Sequence, residues 1–268
     1  MAPMPPALDR LRPVQEIPVD VCRSIRHIFT DIDDTLSLHG RIPAAGYAAL
    51  WAAHDAGIRV VPVTGRPAGW CDHLARMWPV AAVVGENGAL AFALEGDRIR
   101  RLYAPRQPDA AERLARIRDE VLAAVPGCRI AADQAYREYD LAVDIAEEVP
   151  RLGDDAIDRI VQIFEAHGAT AKVSSIHVNG YFGDYDKLSM CERAVRELLG
   201  EELRPEHAVY LGDSPNDVPM FRRFPHAVGV ANVRQWTHRM DALPAYVTLA
   251  EGGEGFAEFV TLLLERRR

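Results

Sequence analysis

The sequence predicts an α/β fold in which a parallel β-sheet core with flanking helices is interrupted by an inserted α+β module. Short apolar runs alternate with helical segments in the first and last parts of the chain, a pattern typical of parallel strands joined by crossover helices. Between these parts, about 90 residues combine half-polar strands with two amphipathic helices, which indicates a separate module. We therefore expect a loose proline-rich leader over 1–20, a core formed by 21–87 and 180–268, and an insertion over 88–179.

The first part of the core has the pattern of three strands and two helices. The predicted elements are strands over Ile25–Thr30, Ile58–Val63 and Val80–Val84, and helices over Ala44–Ala56 and Gly69–Met77. Apolar runs of this length are typical of buried strands, and Gly57 follows the first helix at the position of a C-cap.

Further strands and helices are predicted in the insertion and in the last part of the core. In the insertion we predict two strand-like pieces within 90–103, helices over 110–122 and around Ile157–Phe164, and strands over Tyr139–Ile145 and Ala171–Val178. In the last part we predict helices over Asp186–Leu199 and Pro215–Phe224, strands over Ala208–Leu211, Ala227–Val230 and Tyr246–Leu249, and a terminal helix. The helices rest on apolar side chains at helical spacing.

Composition excludes several classes of protein. With 49% hydrophobic and 26% charged residues the chain is globular, and its net charge of −8 argues against nucleic-acid binding. Its four cysteines form no C-x-x-C pair, which argues against a disulfide framework or a structural zinc site. No window holds ~18 uncharged apolar residues, so we expect no membrane span. We expect a soluble cytoplasmic protein; its oligomeric state is open.

Acidic residues follow the first core strand. Asp31 and Asp33 come directly after Ile25–Thr30, and residues i and i+2 of an extended segment point to the same side. Ligands of open parallel sheets bind beyond the carboxyl ends of the strands, where these two carboxylates would lie. Such a pair can divide nucleophilic and acid–base work. A solvated loop is an equally good explanation of the pair taken alone.

The second core strand ends in Thr64-Gly65-Arg66. A hydroxyl and backbone amides at the start of a helix can bind a phosphate. Taken alone, the segment is better explained by an ordinary turn.

Two further acids follow the strand Ala208–Leu211. Asp213 lies at the strand end and Asp217 in the next turn, while Ser214 and Pro215 have the chemistry of a helix start. Four carboxylates at one sheet edge would repel each other, and a hard divalent cation such as Mg²⁺ relieves that repulsion. The pattern predicts metal-assisted phosphoryl chemistry.

Lysine is rare in this chain. Only Lys172 and Lys187 are lysines among 31 basic residues, and Lys187 stands just before a core helix. A lysine is a compact charge that can bridge a carboxylate and a phosphoryl oxygen, which a planar guanidinium does less well. Chance placement is the alternative.

Together, D-x-D-x-T at Asp31, the strand-end Thr64, Lys187 and G-D-x-x-N-D at Asp213 resemble the four motifs of the haloacid-dehalogenase-superfamily phosphatases. The resemblance implies a Rossmann-like core with an inserted type-2 cap. Asn87-Gly88-Ala89 is similar to the Cof-like subgroup, which includes sucrose-phosphatase-like and mannosylphosphoglycerate-phosphatase-like enzymes. Asn179 to Lys187 departs from many relatives, which puts the transfer of any relative's substrate in doubt.

The resemblance also implies roles for these residues. Asp31 would be the nucleophile that forms an aspartyl-phosphate, and Asp33 the acid and base. Thr64 and Lys187 would bind the phosphoryl group. The metal ligands for Mg²⁺ would be Asp31, Asp213, the backbone carbonyl of Asp33, and Asp217 as a ligand or a more distant acid.

Substrate contacts are expected where the cap meets the core, since a lid excludes water and contacts the leaving group. The candidate substrate-binding residues are Thr64, Gly65, Arg66, Asn87, His177, Asn179 and Asn216, with Glu86 beside them. For Arg66 and Asn87 a hinge or turn role, and for His177 an ordinary interior histidine, are the alternatives.

These expectations amount to a Mg²⁺-dependent phosphatase of a small phosphorylated metabolite such as a sugar phosphate. A phosphomutase or phosphotransferase acting on sugar phosphates is a second hypothesis. A non-catalytic, receiver-like module is a third, although an insertion of about 90 residues has no place in such a domain of about 120.

Overall fold

A computed structural model describes residues 11–268 of the chain. Its strands are β1 (Arg12–Pro13), β2 (His27–Thr30), β3 (Arg59–Pro62), β4 (Val83–Gly85), β5 (Leu90–Glu95), β6 (Arg98–Tyr103), β7 (Arg129–Ile130), β8 (Leu141–Asp144), β9 (Thr170–Val173), β10 (His177–Tyr181), β11 (Ala208–Gly212), β12 (Val228–Gly229) and β13 (Tyr246–Val247). Its α-helices are α1 (Val19–Ser24), α2 (Ala44–Asp55), α3 (Ala68–Met77), α4 (Ala110–Ala124), α5 (Asp154–Ala166), α6 (Lys187–Glu197), α7 (Val218–Arg223) and α8 (Gly252–Arg267).

Six parallel strands form the central sheet, in the order β1-β13-β12-β11-β2-β3. The register pairs Thr30 of β2 with Leu211 of β11 on one side and with Pro62 of β3 on the other. The carboxyl ends of the three strands are therefore level. This arrangement confirms the predicted α/β class and brings the segments that follow these strands to one edge of the sheet.

The leader differs from the expectation. The proposed leader over 1–20 lies in part outside the described residues, but β1 pairs with β13 at the sheet edge and Val14 is fully buried. Arg266 of α8 donates hydrogen bonds to the carbonyl oxygens of Gln15 and Ile17. Proline is tolerated at an edge strand, since no neighbour needs its missing N–H there.

The strand β4 also departs from the expectation of a third regular parallel strand. It touches the central sheet through one parallel bridge, Val63 to Val84, and pairs antiparallel with β5 instead. The reason is the reversal at Asn87 and Gly88, whose φ angles are 53° and 104°. A Cβ on Gly88 would lie 2.0 Å from the Asp186 carbonyl oxygen, so only glycine fits here.

The hairpin β5–β6 packs with the core, although the sequence placed it in the insertion. Leu90 and Phe92 belong to the main hydrophobic cluster, together with Leu74 of α3. A second hydrophobic cluster begins only at Leu114 and continues to Phe182. We call residues 110–182 the cap module, a unit defined by this separate cluster.

The cap module is a four-stranded antiparallel sheet, β7-β8-β10-β9, packed against α4 and α5. The single strand predicted over Ala171–Val178 is two strands, β9 and β10. They are joined by a tight turn in which the backbone N–H of His177 donates to Ser174 Oγ at 3.0 Å. None of the helices within residues 11–268 has the length and hydrophobicity of a membrane-spanning segment.

Candidate active site

Three predicted site residues lie at the edge formed by the level strands. Asp31 follows β2, Thr64 follows β3 by two residues, and Asp213 follows β11. The backbone also ties them there, since Asp31 N–H donates to the Leu211 carbonyl at 2.9 Å and Thr64 N–H to the Val84 carbonyl at 2.9 Å. All three side chains are buried. The sheet topology therefore brings Asp213 to the same edge as Asp31 and Thr64, which lie more than 140 positions earlier in the sequence.

A buried ionic cluster occupies this edge. One oxygen atom each of Asp31, Asp213 and Asp217 lies within 4.8 Å of the others. Lys187 is the first residue of α6, and its Nζ donates to Asp31 Oδ1 at 2.9 Å and to Asp217 Oδ1 at 2.7 Å. The side chains of Lys187 and Asp217 are 3% and 0% exposed. Lys187 thus provides the positive charge that two of the buried carboxylates need.

The cluster carries more negative charge than one lysine compensates. Burial raises the pKa of Asp31 to about 8, repulsion by Asp217 and Asp33 adds to this, and Lys187 opposes it. Burial and repulsion by Asp217 and Asp31 raise the pKa of Asp213 as well. Burial lowers the pKa of Lys187, but Asp217 and Asp31 outweigh it, so its pKa is raised. A bound cation would relieve this repulsion between the buried carboxylates.

The donor set fits a hard divalent cation, because it consists of carboxylate oxygens. Asp217 is the least available of the three. Its Oδ1 accepts from Lys187 and Tyr210, and its Oδ2 from the N–H groups of Asp213 and Ser214. Asp31 Oδ2 accepts no hydrogen bond from any residue within 11–268. Asp31 and Asp213 are therefore better candidate metal ligands than Asp217.

Two residues that sequence reasoning did not single out hold Asp213. Thr35 Oγ1 donates to Asp213 Oδ1 at 3.1 Å, and Asn232 Nδ2 donates to Asp213 Oδ2 at 3.2 Å. Asn232 also donates to the Asp34 carbonyl at 2.8 Å, so it fixes the loop after β2. Thr35 belongs to the D-x-D-x-T motif and could have been recognised there, whereas Asn232 has no sequence signal.

Asp33 lies apart from the three clustered carboxylates. Arg66 Nε lies 3.0 Å from both of its oxygens, and Arg66 Nη2 donates to its Oδ1 at 2.8 Å. The expected contribution of the Asp33 backbone carbonyl to a metal site stays a prediction. Since the Asp33 side chain is 13% exposed and lines a cavity, it remains accessible to a substrate.

Two predicted substrate-binding residues lie against Gly65, and a third contacts one of them. A Cβ on Gly65 would lie 3.1 Å from Asn87 Nδ2 and 3.3 Å from Asn179 Oδ1. Asn216 Nδ2 donates to Asn87 Oδ1 at 3.4 Å. The Nδ2 atom of Asn87 is buried without a hydrogen-bond partner among the described residues. A buried unpaired amide is costly, so this group is suited to a ligand acceptor.

The remaining candidates form contacts within the protein. Asn179 Nδ2 donates to Asp140 Oδ2 at 2.8 Å, and His177 Nε2 lies 2.8 Å from Glu147 Oε2. Thr64 Oγ1 accepts the backbone N–H of Arg66 at 3.0 Å. The buried Glu86 accepts backbone N–H groups from the start of α3 and from the segment 138–140.

A cavity of about 460 Å³ lies between the core and the cap module. The core contributes Asp33, Arg66 and Asp213 to its wall, and the cap module contributes Glu147 and Ser175. The cavity therefore reaches the ionic cluster through Asp213. Its volume suits a small molecule, and its wall is rich in charged and polar groups.

Comparison with known proteins finds similarity to one family and to several solved structures. A family model described as haloacid dehalogenase-like hydrolase matches residues 28–145. The search of curated proteins finds no match. Solved structures align with nearly the whole chain.

The C-terminal domain of the C. albicans trehalose-6-phosphate phosphatase is similar with a TM-score of 0.72 at 14% identity, over 96% of this chain and 98% of that chain. A Thermoplasma acidophilum protein is similar with a TM-score of 0.67 at 19% identity, over 90% and 98%. The sucrose-phosphatase of a Synechocystis species is similar with a TM-score of 0.61 at 14% identity, over 90% and 98%. The family match over residues 28–145 and the fold shared with these solved structures confirm the resemblance predicted from the motifs.

Proposed function

We propose that this protein is a Mg²⁺-dependent phosphatase that hydrolyses a small phosphorylated metabolite, in particular a sugar phosphate, through an aspartyl-phosphate intermediate. One observation carries the proposal: the buried Asp31 lies between Lys187 and two further carboxylates, next to a cavity between core and cap module. Phosphoryl transfer depends mainly on positioning and on the neutralisation of charge, and this cluster offers both.

In the proposed reaction, Asp31 attacks the phosphorus atom as the bond to the leaving oxygen breaks. Lys187, which already donates to Asp31 Oδ1 at 2.9 Å, neutralises the growing charge on the phosphoryl oxygens. Asp33 gives a proton to the leaving oxygen and later removes one from the water that hydrolyses the aspartyl-phosphate. Thr64 and the unpaired Nδ2 of Asn87 supply neutral hydrogen-bond donors near the phosphoryl group.

Mg²⁺ would be held by Asp31 and Asp213, with Asp217 fixing both the lysine and the loop after β11. When bound, the ion supplies charge neutralisation and polarises the phosphoryl group. The excess negative charge of the buried carboxylates supports this assignment.

A sugar phosphate is the substrate class that the relatives support. The similar solved structures include a trehalose-6-phosphate phosphatase and a sucrose-phosphatase bound to sucrose and phosphate. The polar wall of the cavity is consistent with a leaving group that carries hydroxyl groups. We propose the cytoplasm, where such metabolites are made, as its compartment.

The test is phosphate release from a panel of sugar phosphates and phosphoglycolate, with Mg²⁺ and with EDTA. We expect Mg²⁺-dependent release by the wild type and a loss of at least about 10³-fold in Asp31→Asn, because the nucleophile is gone. Asp34→Asn, an acid of the same loop outside the cluster, is the matched control. Near-normal release by Asp31→Asn would refute the nucleophile assignment, and an isomerised sugar phosphate as product would indicate a mutase.

A further inference from the structure

Arg66 is a buried cation that joins the core to the cap module. Its side chain is 3% exposed and faces three carboxylates: Asp33 of the core, and Asp133 and Glu147 of the cap module. Its Nη2 atom is shared between Asp33 Oδ1 at 2.8 Å and Glu147 Oε1 at 2.6 Å. Its guanidinium carbon also lies 4.4 Å from the ring centroid of Trp70, which limits its freedom.

Glu147 is held in place by the cap module itself. The buried carboxylate of Asp144 accepts the backbone N–H groups of Ala146, Glu147 and Glu148 at 3.0, 2.8 and 2.8 Å, which fixes the loop after β8. His177 Nε2 lies 2.8 Å from the second oxygen of Glu147. Burial opposes ionisation of Glu147, but the close contacts with His177 and Arg66 outweigh it and lower its pKa to about 2. Glu147 is therefore an anion whose position is fixed within the cap module.

The hydrogen bonds to Asp33 are unequal between its two oxygens. Arg66 donates to Oδ1 through both Nε and Nη2, but to Oδ2 through Nε alone. Oδ2 accepts one hydrogen bond fewer than Oδ1, so it is the oxygen better placed to carry a proton. Without Glu147, Nη2 has one fewer partner and the plane of the guanidinium is less restricted, so the orientation of Asp33 is less defined.

We propose that Glu147 is a positioning residue that orients Asp33 through Arg66, so that proton transfer to the leaving group depends on the cap module lying against the core. The inference rests on the proposed function. In the step concerned, the electron pair of the broken P–O bond stays on the leaving oxygen, and the proton of the Asp33 carboxyl group moves to that oxygen.

The leaving-group dependence of the rate tests the inference. The p-nitrophenolate ion leaves without protonation, whereas a sugar alkoxide needs the proton of Asp33. We expect Glu147→Gln to lower kcat for glucose 6-phosphate, or for the best sugar phosphate of the panel, by about tenfold or more, and to change it less than about twofold for p-nitrophenyl phosphate. KM should change little for both. Glu148→Gln, one residue along the same loop, is the control and should resemble the wild type.

A double-mutant cycle tests whether the effect passes through Arg66. In an Arg66→Gln background, the further change Glu147→Gln should cost less than about twofold, because the connection is already broken. Glu147→Asp, which keeps the charge on a shorter side chain, should recover part of the rate, and thermal melts verify that each variant is folded.

Three outcomes would overturn the inference: equal losses on both leaving groups, additive effects of the two substitutions, or a raised KM with unchanged kcat. The last result would instead make Glu147 a substrate-binding group. Failure of the proposed function looks different, since the wild type would then release no phosphate from either ester.

Discussion

Lys187 is unusual both in its residue type and in its buried position. It is one of two lysines in the chain, and its Nζ lies between Asp31 and Asp217 in a region closed to solvent. Buried charges persist where partners and hydrogen bonds compensate for the lost hydration. The two carboxylates and Tyr210, whose hydroxyl lies 3.4 Å from Nζ, are those partners. The lysine is therefore a structural as well as a chemical part of the site.

Replacement of this lysine should destabilise the protein. At pH 8 without metal we expect Lys187→Met to lower the free energy of unfolding by about 3–5 kcal/mol, because two buried carboxylates lose their counter-ion. Urea denaturation measures the change. Lys172→Met, at a half-buried position of β9, is the matched control and should stay within about 0.5 kcal/mol of the wild type. Similar losses in both variants would contradict the assigned role of Lys187.

At the scale of an element, the turn between β4 and β5 does more than reverse the chain. Glu86 has a φ angle of 45°, an unusual value for a residue with a side chain. Its carboxylate accepts the Ala68 N–H at 2.9 Å, and the Tyr139 N–H at 2.7 Å. It therefore ties the start of α3 to a segment of the cap module, and the strained backbone holds it there.

This buried carboxyl group should make stability depend on pH. Burial and Asp140 raise the pKa of Glu86 to about 7, against the hydrogen bonds from backbone N–H groups. A raised carboxyl pKa means that the folded state binds more protons than the unfolded state, so this contribution to stability is lost as pH rises from about 4.5 to 7. Compared with Glu86→Gln, which does not titrate, the wild type should lose up to about 3 kcal/mol over that window.

Urea denaturation of both proteins at pH 4.5 and pH 8 measures this difference, and groups that titrate in both proteins cancel in the comparison. An unchanged difference between the two pH values would show that folding does not raise the pKa of Glu86.

At the scale of the whole molecule, the site belongs to several distant parts of the chain. The β2 loop, the start of α6 and the β11 loop contribute the ionic cluster, and the cap module closes the cavity above it. A binding site formed by such distant segments exists only in the folded protein. A ligand that binds there therefore stabilises the folded state.

Mg²⁺ should therefore raise the melting temperature. At tenfold excess over Kd the gain is about 1.4 kcal/mol, which corresponds to about 3–5 °C for a chain of this size. Thermal denaturation with EDTA and with Mg²⁺ checks this. Asp213→Asn should abolish the shift, whereas Asp34→Asn should retain it; a shift that survives in Asp213→Asn would place the ion elsewhere.

The α/β class, most elements of the central sheet and the four motif segments that meet at its edge could all be predicted from the sequence. These were predictable because strand and helix periodicity is local, and because parallel strands bring the residues after their carboxyl ends to the same side. Three features became visible only in the folded chain: β5–β6 packs with the core, Arg12 and Pro13 join the sheet, and Arg66 faces Asp33. Glu147 likewise carries no signal in the sequence. It contacts Arg66, a residue of the core 81 positions earlier, only because the cap module packs against the core. Such contacts depend on how surfaces meet, and local side-chain patterns do not encode that.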